Sequence, residues 1–492
     1  MTKKKKNVLL ITVDQWAANM LGCAGHPDIR TPSIDMLASC GVRYTSAYSC
    51  TPVCIPARRE LMTGTSARTH GDRTFNERLV MPNLPTLAQT FRDAGYQAYG
   101  VGKLHVYPQR SRIGFDDVLL NEESRRVNFP DEMREDDYTR FISRKGYVGL
   151  SDAHGMSNND YLVRPWHLEE QLHQTSWTAQ NMCEYIIRRD PSRPAFWYCG
   201  FAAPHPPLVP PHVFWEMYRD VQVRLPDWGA WAKDFDALPY ALKYYRSIYG
   251  HLVDKQKVEE ALRGYYALCT HIDFSIRSII GTLREEKVLD DTIIAFVADH
   301  GELLGSHGLW GKNLFYEQST KIPFILIPTT DCDRLAAGTT DDRLVQLCDV
   351  MPTLLDLAGI MIPNTVEGMS LLDSSASREY VYGELWEDDR ATRMICTNRY
   401  KLIYYALGNR VQLFDREHDP HELSDMAADP AYEEVLADLK QKLIGRLYGS
   451  DLAWMHDGEL VGLANKPFRL LPAQQNMGIL NNRDLLLQRG IK

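Results

Sequence analysis

Thr292-Ile-Ile-Ala-Phe-Val297 is an unbroken apolar run that gives way at once to Ala298, Asp299, His300 and Gly301. It is short for a buried helix, lacks the alternation of a half-exposed strand and is rich in β-branched residues. Those features read as a strand covered on both faces, as in a parallel sheet. Residues 8–13 repeat the pattern and end on Asp14 and Gln15. Residues 97–101, 195–201 and 324–327 are three further runs of this kind. Helical patterns over 33–39, 84–94, 175–188 and 258–284 lie between them. Strands alternating with helices predict an α/β fold with a large, mostly parallel sheet flanked by helices.

The stretches 106–174 and 204–255 are irregular and rich in aromatic residues. Long connections of this kind shape pockets. A helix near 350–362 is followed by Pro363 and a polar linker through Ser377. Alternating segments at 379–385, 394–398, 400–405 and 411–414 then predict a small antiparallel sheet, with a helix over 431–447 packed on it. The reading is two domains: 1–370, which carries the chemistry, and 371–492, a smaller α+β domain with antiparallel sheet, helix and tail.

The chain has 492 residues, with 55 Lys and Arg against 64 Asp and Glu, a net charge of −9. That balance argues against a nucleic-acid-coating protein. No apolar stretch approaches the ~18 residues of a membrane span. The apolar run at 8–13 is too short for a signal peptide, so the expectation is a cytoplasmic protein without a membrane partner. The ten Cys contain no C-x-x-C pair and predict neither a zinc ribbon nor a redox motif. A homo-oligomer is left open, the tail from Leu452 to Ile491 being able to wrap a neighbour or its own core.

In open α/β sheets, ligands sit beyond the carboxyl ends of the strands. The residues that leave the runs are Asp14 and Gln15, then Gly102-Lys103-Leu104-His105, then Pro204-His205, then Asp299-His300. Singly, each is more often a cap or a hydrogen-bonded structural residue; together they point to one site. Asp14, Asp299 and His300 suit a divalent cation, and Gln15 offers a carbonyl oxygen. The set leaves coordination positions for another group. The segment Cys50-Thr-Pro-Val-Cys54-Ile-Pro56-Ala-Arg58, ending at Thr63-Gly64, supplies one. Pro56 suits a first helical turn and Gly64 a helix end, which puts Cys54 at a helix N-terminus with Arg58 one turn on. A thiolate is a poor match for a hard cation, so the pattern asks for a different atom at position 54.

Cys54-Ile-Pro56-Ala-Arg58 resembles the C-x-P-x-R signature of the formylglycine-dependent (type I) sulfatases of the alkaline phosphatase superfamily. Asp14 after its strand, Gly102-Lys103-Leu104-His105, Pro204-His205-Pro206, and Asp299-His300-Gly301-Glu302 with Lys312 are similar to further motifs of that family, in the same order. Lys401-Leu402-Ile403, Leu413-Phe414-Asp415 and Asp419-Pro420-His421-Glu422 resemble its C-terminal domain. Two positions depart from the common pattern: Asp14-Gln15 stands for Asp-Asp, and Asp299-His300 for Asp-Asn. The related phosphonate monoester hydrolases resemble this Asp-Gln and Asp-His pattern, and so do some bacterial sulfatases.

The resemblance implies hydrolysis of a small anionic sulfate ester, an aryl or sugar sulfate. It implies conversion of Cys54 to formylglycine by a formylglycine-generating or anaerobic sulfatase-maturating enzyme. It also implies one divalent ion, Ca²⁺ first with Mn²⁺ or Mg²⁺ as alternatives, on Asp14, Gln15, Asp299, His300 and position 54. Lys103, Lys312 and the metal would hold the anion's oxygens. His205 would protonate the leaving alcohol, His105 would collapse the intermediate, and Arg58 would orient the nucleophile. Asn76 and Trp310 are added as substrate-binding candidates, with Arg164, Trp166, His167 and Tyr316 as rim residues and His70, His307 and Glu317 as supporting ones. The competing reading is a phosphonate monoester or phosphodiester hydrolase on the same scaffold. A non-catalytic binding protein and a metal phosphatase using an unmodified Cys54 rank lower.

Overall fold

The computed structural model describes residues 5–123, 136–250, 252, 254–373 and 375–469. Eight strands form one sheet: β1 Asn7–Asp14, β2 Val42–Tyr48, β3 Gln97–Gly102, β4 Asp117–Leu120, β5 Ala195–Pro204, β6 Thr292–Ala298, β7 Phe324–Ile327 and β8 Thr339–Gln346. Their order is β4-β3-β5-β1-β6-β7-β2-β8. The predicted mostly parallel sheet is present. β1, β5 and β6 are buried along their whole lengths, as their unbroken apolar runs require. The helix Lys255–Glu285 lies along β5 and against the helix Gln174–Ile187, closing one face.

One expectation is corrected. The run 324–327 reads as another parallel strand, but β7 is antiparallel to both of its neighbours, β6 and β2. The connection from β6 carries no long crossover helix. It leaves the carboxyl edge, holds a 3-10 turn at Ser306–Gly308 and the short helix Glu317–Thr320, and re-enters at that edge running the other way.

A second sheet is antiparallel, in the order β12-β11-β10-β9, from β9 Val381–Leu385, β10 Thr392–Cys396, β11 Tyr400–Tyr405 and β12 Arg410–Asp415. The helix Glu433–Ile444 packs on β10 and β11. Buried charges stitch this sheet to the loop after β6. Lys401 Nζ lies 2.5 Å from Glu317 Oε1, and Arg416 Nε lies 3.1 Å from the same oxygen. Glu317 therefore belongs to this seam. The tail beyond 469 lies outside the described residues. No described helix is long and apolar enough to cross a membrane, and all ten cysteines are free.

The strand order places the exits of β3, β5, β1 and β6 side by side. Gly102 makes the first of these exits fit. Its φ is +102°, and an added Cβ would stand 1.9 Å from the Gly200 carbonyl oxygen of β5. Only glycine meets both demands. Gly102→Ala is expected to cost at least about 3 kcal/mol through left-handed strain and backbone overlap. The urea midpoint reads this, and an unchanged midpoint would contradict it.

Candidate active site

Each site residue sits where a strand stops. Asp14 is the last residue of β1, beyond a register shift against β5. Asp299 and His300 follow β6, Lys103 follows β3 and His205 follows β5. Position 54 arrives differently. β2 runs into a short loop and then the helix Cys54–Thr63, which is buried at every residue and closes on Gly64 with φ +65°. Cys54 is thus the first residue of that helix, as its Pro and Gly spacing predicts.

One carboxylate oxygen each from Asp14 and Asp299, a ring nitrogen of His300 and the Cys54 sulfur all lie within 4.8 Å of one another. Cys54 Sγ is 3.2 Å from His300 Nε2 and 3.6 Å from Asp14 Oδ1. A span of that size is what ligands around one ion at about 2.3–2.6 Å produce. The imidazole is set up for such a role. Nδ1 donates to the Gly301 carbonyl at 3.0 Å, so Nε2 presents its lone pair, and burial lowers the His300 pKa. The donor set therefore fits a divalent ion. Gln15 is turned elsewhere. Its Oε1 accepts from Lys312 Nζ, and its Nε2 donates to Glu302 and to Tyr161 at 3.0 Å. It would add a fifth ligand only by releasing Lys312.

Arg58 is the counter-charge beneath this group. It is 2% exposed. Nε donates to Asp299 Oδ2 at 2.9 Å, Nη2 to Asp14 Oδ2 at 3.2 Å, and Nη1 to the Lys103 carbonyl at 2.9 Å. Burial works against the Asp14 carboxylate's charge, but Lys103, His205, Arg58 and His300 together hold its pKa well below the usual carboxylate range. A depressed carboxylate stabilises the fold at neutral pH, and that contribution is lost as pH falls through the folded-state pKa.

Two groups in this network carried no sequence signal. Tyr198 sits inside the apolar run of β5, where nothing distinguishes it from core. Its hydroxyl accepts from Thr12 Oγ1 and Arg58 Nη1, both at 2.9 Å, and donates to the Lys103 carbonyl at 2.8 Å. Tyr198→Phe is expected to destabilise by about 1–3 kcal/mol, because buried donors lose their acceptor. A denaturation midpoint within error of wild type would show the hydroxyl to be idle. The second group is the acidic pair after β4. Glu122 Oε1 accepts the Leu104 and His105 amides at 2.9 Å each, and Glu123 Oε2 lies 2.7 Å from Lys103 Nζ.

A cavity of about 690 Å³ opens above these residues, lined in part by Cys54, Lys103, His105, Glu123, His205 and Lys312. Lys103 Nζ pairs with Asp14 Oδ2 at 2.6 Å, and Lys312 Nζ is 2.6 Å from His205 Nε2. His205 Nδ1 is 2.6 Å from the Pro206 carbonyl, which leaves Nε2 as the cavity-side nitrogen. Trp166 lines the same cavity. Asn76 lines a neighbouring open depression with Trp386 and Arg78. Trp310 is 1% exposed and packs on Tyr161, so it is a core residue beside the site. Arg164 reaches the His154 carbonyl, and His167 the Leu150 carbonyl at 2.8 Å. Tyr316 donates to Gln412 at the seam with the small sheet. His70 and His307 are buried and take backbone amides at 3.4 Å and 3.1 Å.

Residues 6–360 match the family model described as Sulfatase. Residues 305–447 match the one described as N-sulphoglucosamine sulphohydrolase, C-terminal. An arylsulfatase of Clostridium perfringens is 34% identical over 93% of this chain and 97% of its own. A choline-sulfatase of Rhizobium meliloti is 28% identical over 87% of this chain and 84% of its own. Among solved structures, a phosphonate monoester hydrolase of Agrobacterium radiobacter superposes with a TM-score of 0.77. It is 22% identical, over 94% of this chain and all of that one.

Proposed function

The chain belongs to the sulfatase family and is a sulfuric ester hydrolase; we propose that it cleaves sulfate monoesters, aryl or sugar sulfates, with formylglycine made from Cys54 and one divalent ion. The observation that carries this reading is the four-atom donor cluster of Asp14, Cys54, Asp299 and His300 beneath a cavity lined by Lys103, Lys312 and His205. Ca²⁺ suits the oxygen-rich part of the set, with Mn²⁺ and Mg²⁺ as alternatives. When bound, the ion and the hydrated aldehyde at position 54 supply an oxygen nucleophile at neutral pH. A formylglycine-generating or anaerobic maturating enzyme would be the required partner.

The chain's own side chains divide the remaining work. Arg58 fixes Asp14 and Asp299 and offsets their charge. Lys103, held between Asp14 and Glu123, has an N–H left for an ester oxygen. Lys312 leaves His205 Nε2 and Gln15 for a second oxygen. These preorganised cations stabilise charge in the transition state. His205, freed at Nε2, carries the proton to the departing alcohol oxygen. His105, fixed through its backbone amide by Glu122, takes the proton that lets sulfate leave.

The second reading, a phosphonate monoester or phosphodiester hydrolase, is favoured by one observation: Gln15 stands next to Asp14 and binds Lys312. A side-by-side kcat/KM comparison separates the two, using an aryl sulfate and the matching aryl phosphonate ester on metal-loaded protein. A hundredfold preference for sulfate, about 2.7 kcal/mol of transition-state binding, is expected. A preference for the phosphonate would replace the sulfatase reading with the second one.

A further inference from the structure

We propose that Glu123 sets the charge of the substrate: its carboxylate admits esters whose transferring group carries one negative charge and disfavours dianionic phosphate monoesters. This rests on the reading above that Lys103 holds an oxygen of the transferring group and His205 protonates the leaving oxygen beside it.

Glu123 is an unusual residue to find there. A carboxylate in an anion pocket repels the ligand, and this one lines the cavity with its side chain 7% exposed. It lies beside one group assigned to the anion and one assigned to the leaving oxygen: Oε2 is 2.7 Å from Lys103 Nζ, and Oε1 is 3.8 Å from His205 Nδ1. Burial works against its charge, but Lys103 and His205 keep its pKa below the ordinary glutamate value. Its backbone φ is +55°, a left-handed conformation that a non-glycine residue adopts at a cost.

The charges around the anion position then balance closely. Arg58, Lys103 and Lys312 are cations; Asp14, Asp299 and Glu123 are anions. A divalent ion adds two positive charges. Lys103 is sandwiched between Asp14 and Glu123, which offset part of its charge. A monoanionic sulfate, phosphonate ester or phosphodiester meets a modest positive field. A second charge on the same group meets the Glu123 carboxylate. One unit charge acting across about 6 Å at an effective dielectric near 20 changes selectivity on the order of tenfold to a hundredfold.

The test uses one leaving group and three transferring groups on the metal-loaded full chain: para-nitrophenyl sulfate, para-nitrophenyl phenylphosphonate and para-nitrophenyl phosphate, above the second ionisation of the phosphate. Glu123→Gln keeps the shape and removes the charge. The kcat/KM ratio of phosphate to sulfate is expected to rise at least about tenfold. The ratio of sulfate to phosphonate, both monoanions, stays where it is in the wild type. Glu123→Asp keeps the charge and the wild-type ratios. Each ratio comes from one preparation, so partial misfolding cancels, and Glu123→Ala serves if the Gln variant does not fold. An unchanged phosphate-to-sulfate ratio overturns the proposal, as does an equal fall on all three substrates. A wild-type preference for phosphonate over sulfate would overturn the sulfatase reading and leave this one standing.

Discussion

Cys54→Ala is expected to lower kcat by at least about ten-thousandfold, the scale on which loss of a nucleophile is felt. Cys54→Ser is expected to fail in a different way. The introduced hydroxyl can attack once, forming a sulfate ester on the serine side chain and releasing the alcohol. It then has no second hydroxyl from which a proton could be drawn to expel sulfate, so the enzyme stops after one equivalent. Rapid-mix kinetics should show a burst equal to the enzyme concentration, and mass analysis of the peptide spanning position 54 should show the adduct. Steady turnover by the Cys54→Ser variant would refute the formylglycine mechanism. The site argues for this result on geometry: of the four members of the donor cluster, Cys54 is the one that lines the cavity.

Arg58→Ala is expected to cost about 3–5 kcal/mol of stability in metal-free protein. It leaves two buried carboxylates, Asp14 and Asp299, without the guanidinium that bridges them. Arg58→Lys is expected to recover only part of this, since one ammonium cannot reproduce a planar fork with four partners. The metal hypothesis adds a sign. A divalent ion compensates the same two carboxylates, so added Ca²⁺ should raise the melting temperature of the Ala variant more than that of wild type. A loss below about 1 kcal/mol would remove Arg58 from its role as counter-charge.

Much of this arrangement is written plainly in the chain, and the exceptions have physical causes. β1, β3, β5 and β6 are legible because they are buried on both faces and end abruptly in charge. Their polar residues therefore announce the carboxyl edge. β2 and β8 escape notice because many of their positions are half-exposed or exposed, which breaks the apolar run. β4 is only four residues long. Missing β4 hid Glu122 and Glu123, which hang from its end inside a stretch that reads as an irregular insertion. β7 is legible as a strand but not in direction, because composition does not encode polarity. Tyr198 is lost among the aromatic core residues of its own strand. Trp310 is the opposite case. Its ring looks available for stacking on a substrate, but Tyr161 covers it.

The central position of β1 also governs when this protein can be finished. Val8 lies opposite Phe196 on one side and Ile293 on the other. Arg58 and Asp299 are 241 positions apart. At roughly 5–20 residues per second, a ribosome needs on the order of ten to fifty seconds to deliver Asp299 after Arg58. During that interval the sheet lacks β6, and the helix Cys54–Thr63 lacks Asp299, one of the two carboxylates that pair with Arg58. Position 54 is 2% exposed in the finished fold, so an enzyme that converts it would have to act before the fold closes around it. The lifetime of that window is set by the distance along the chain to β6, so a slower or stalled passage through residues 60–300 would lengthen it.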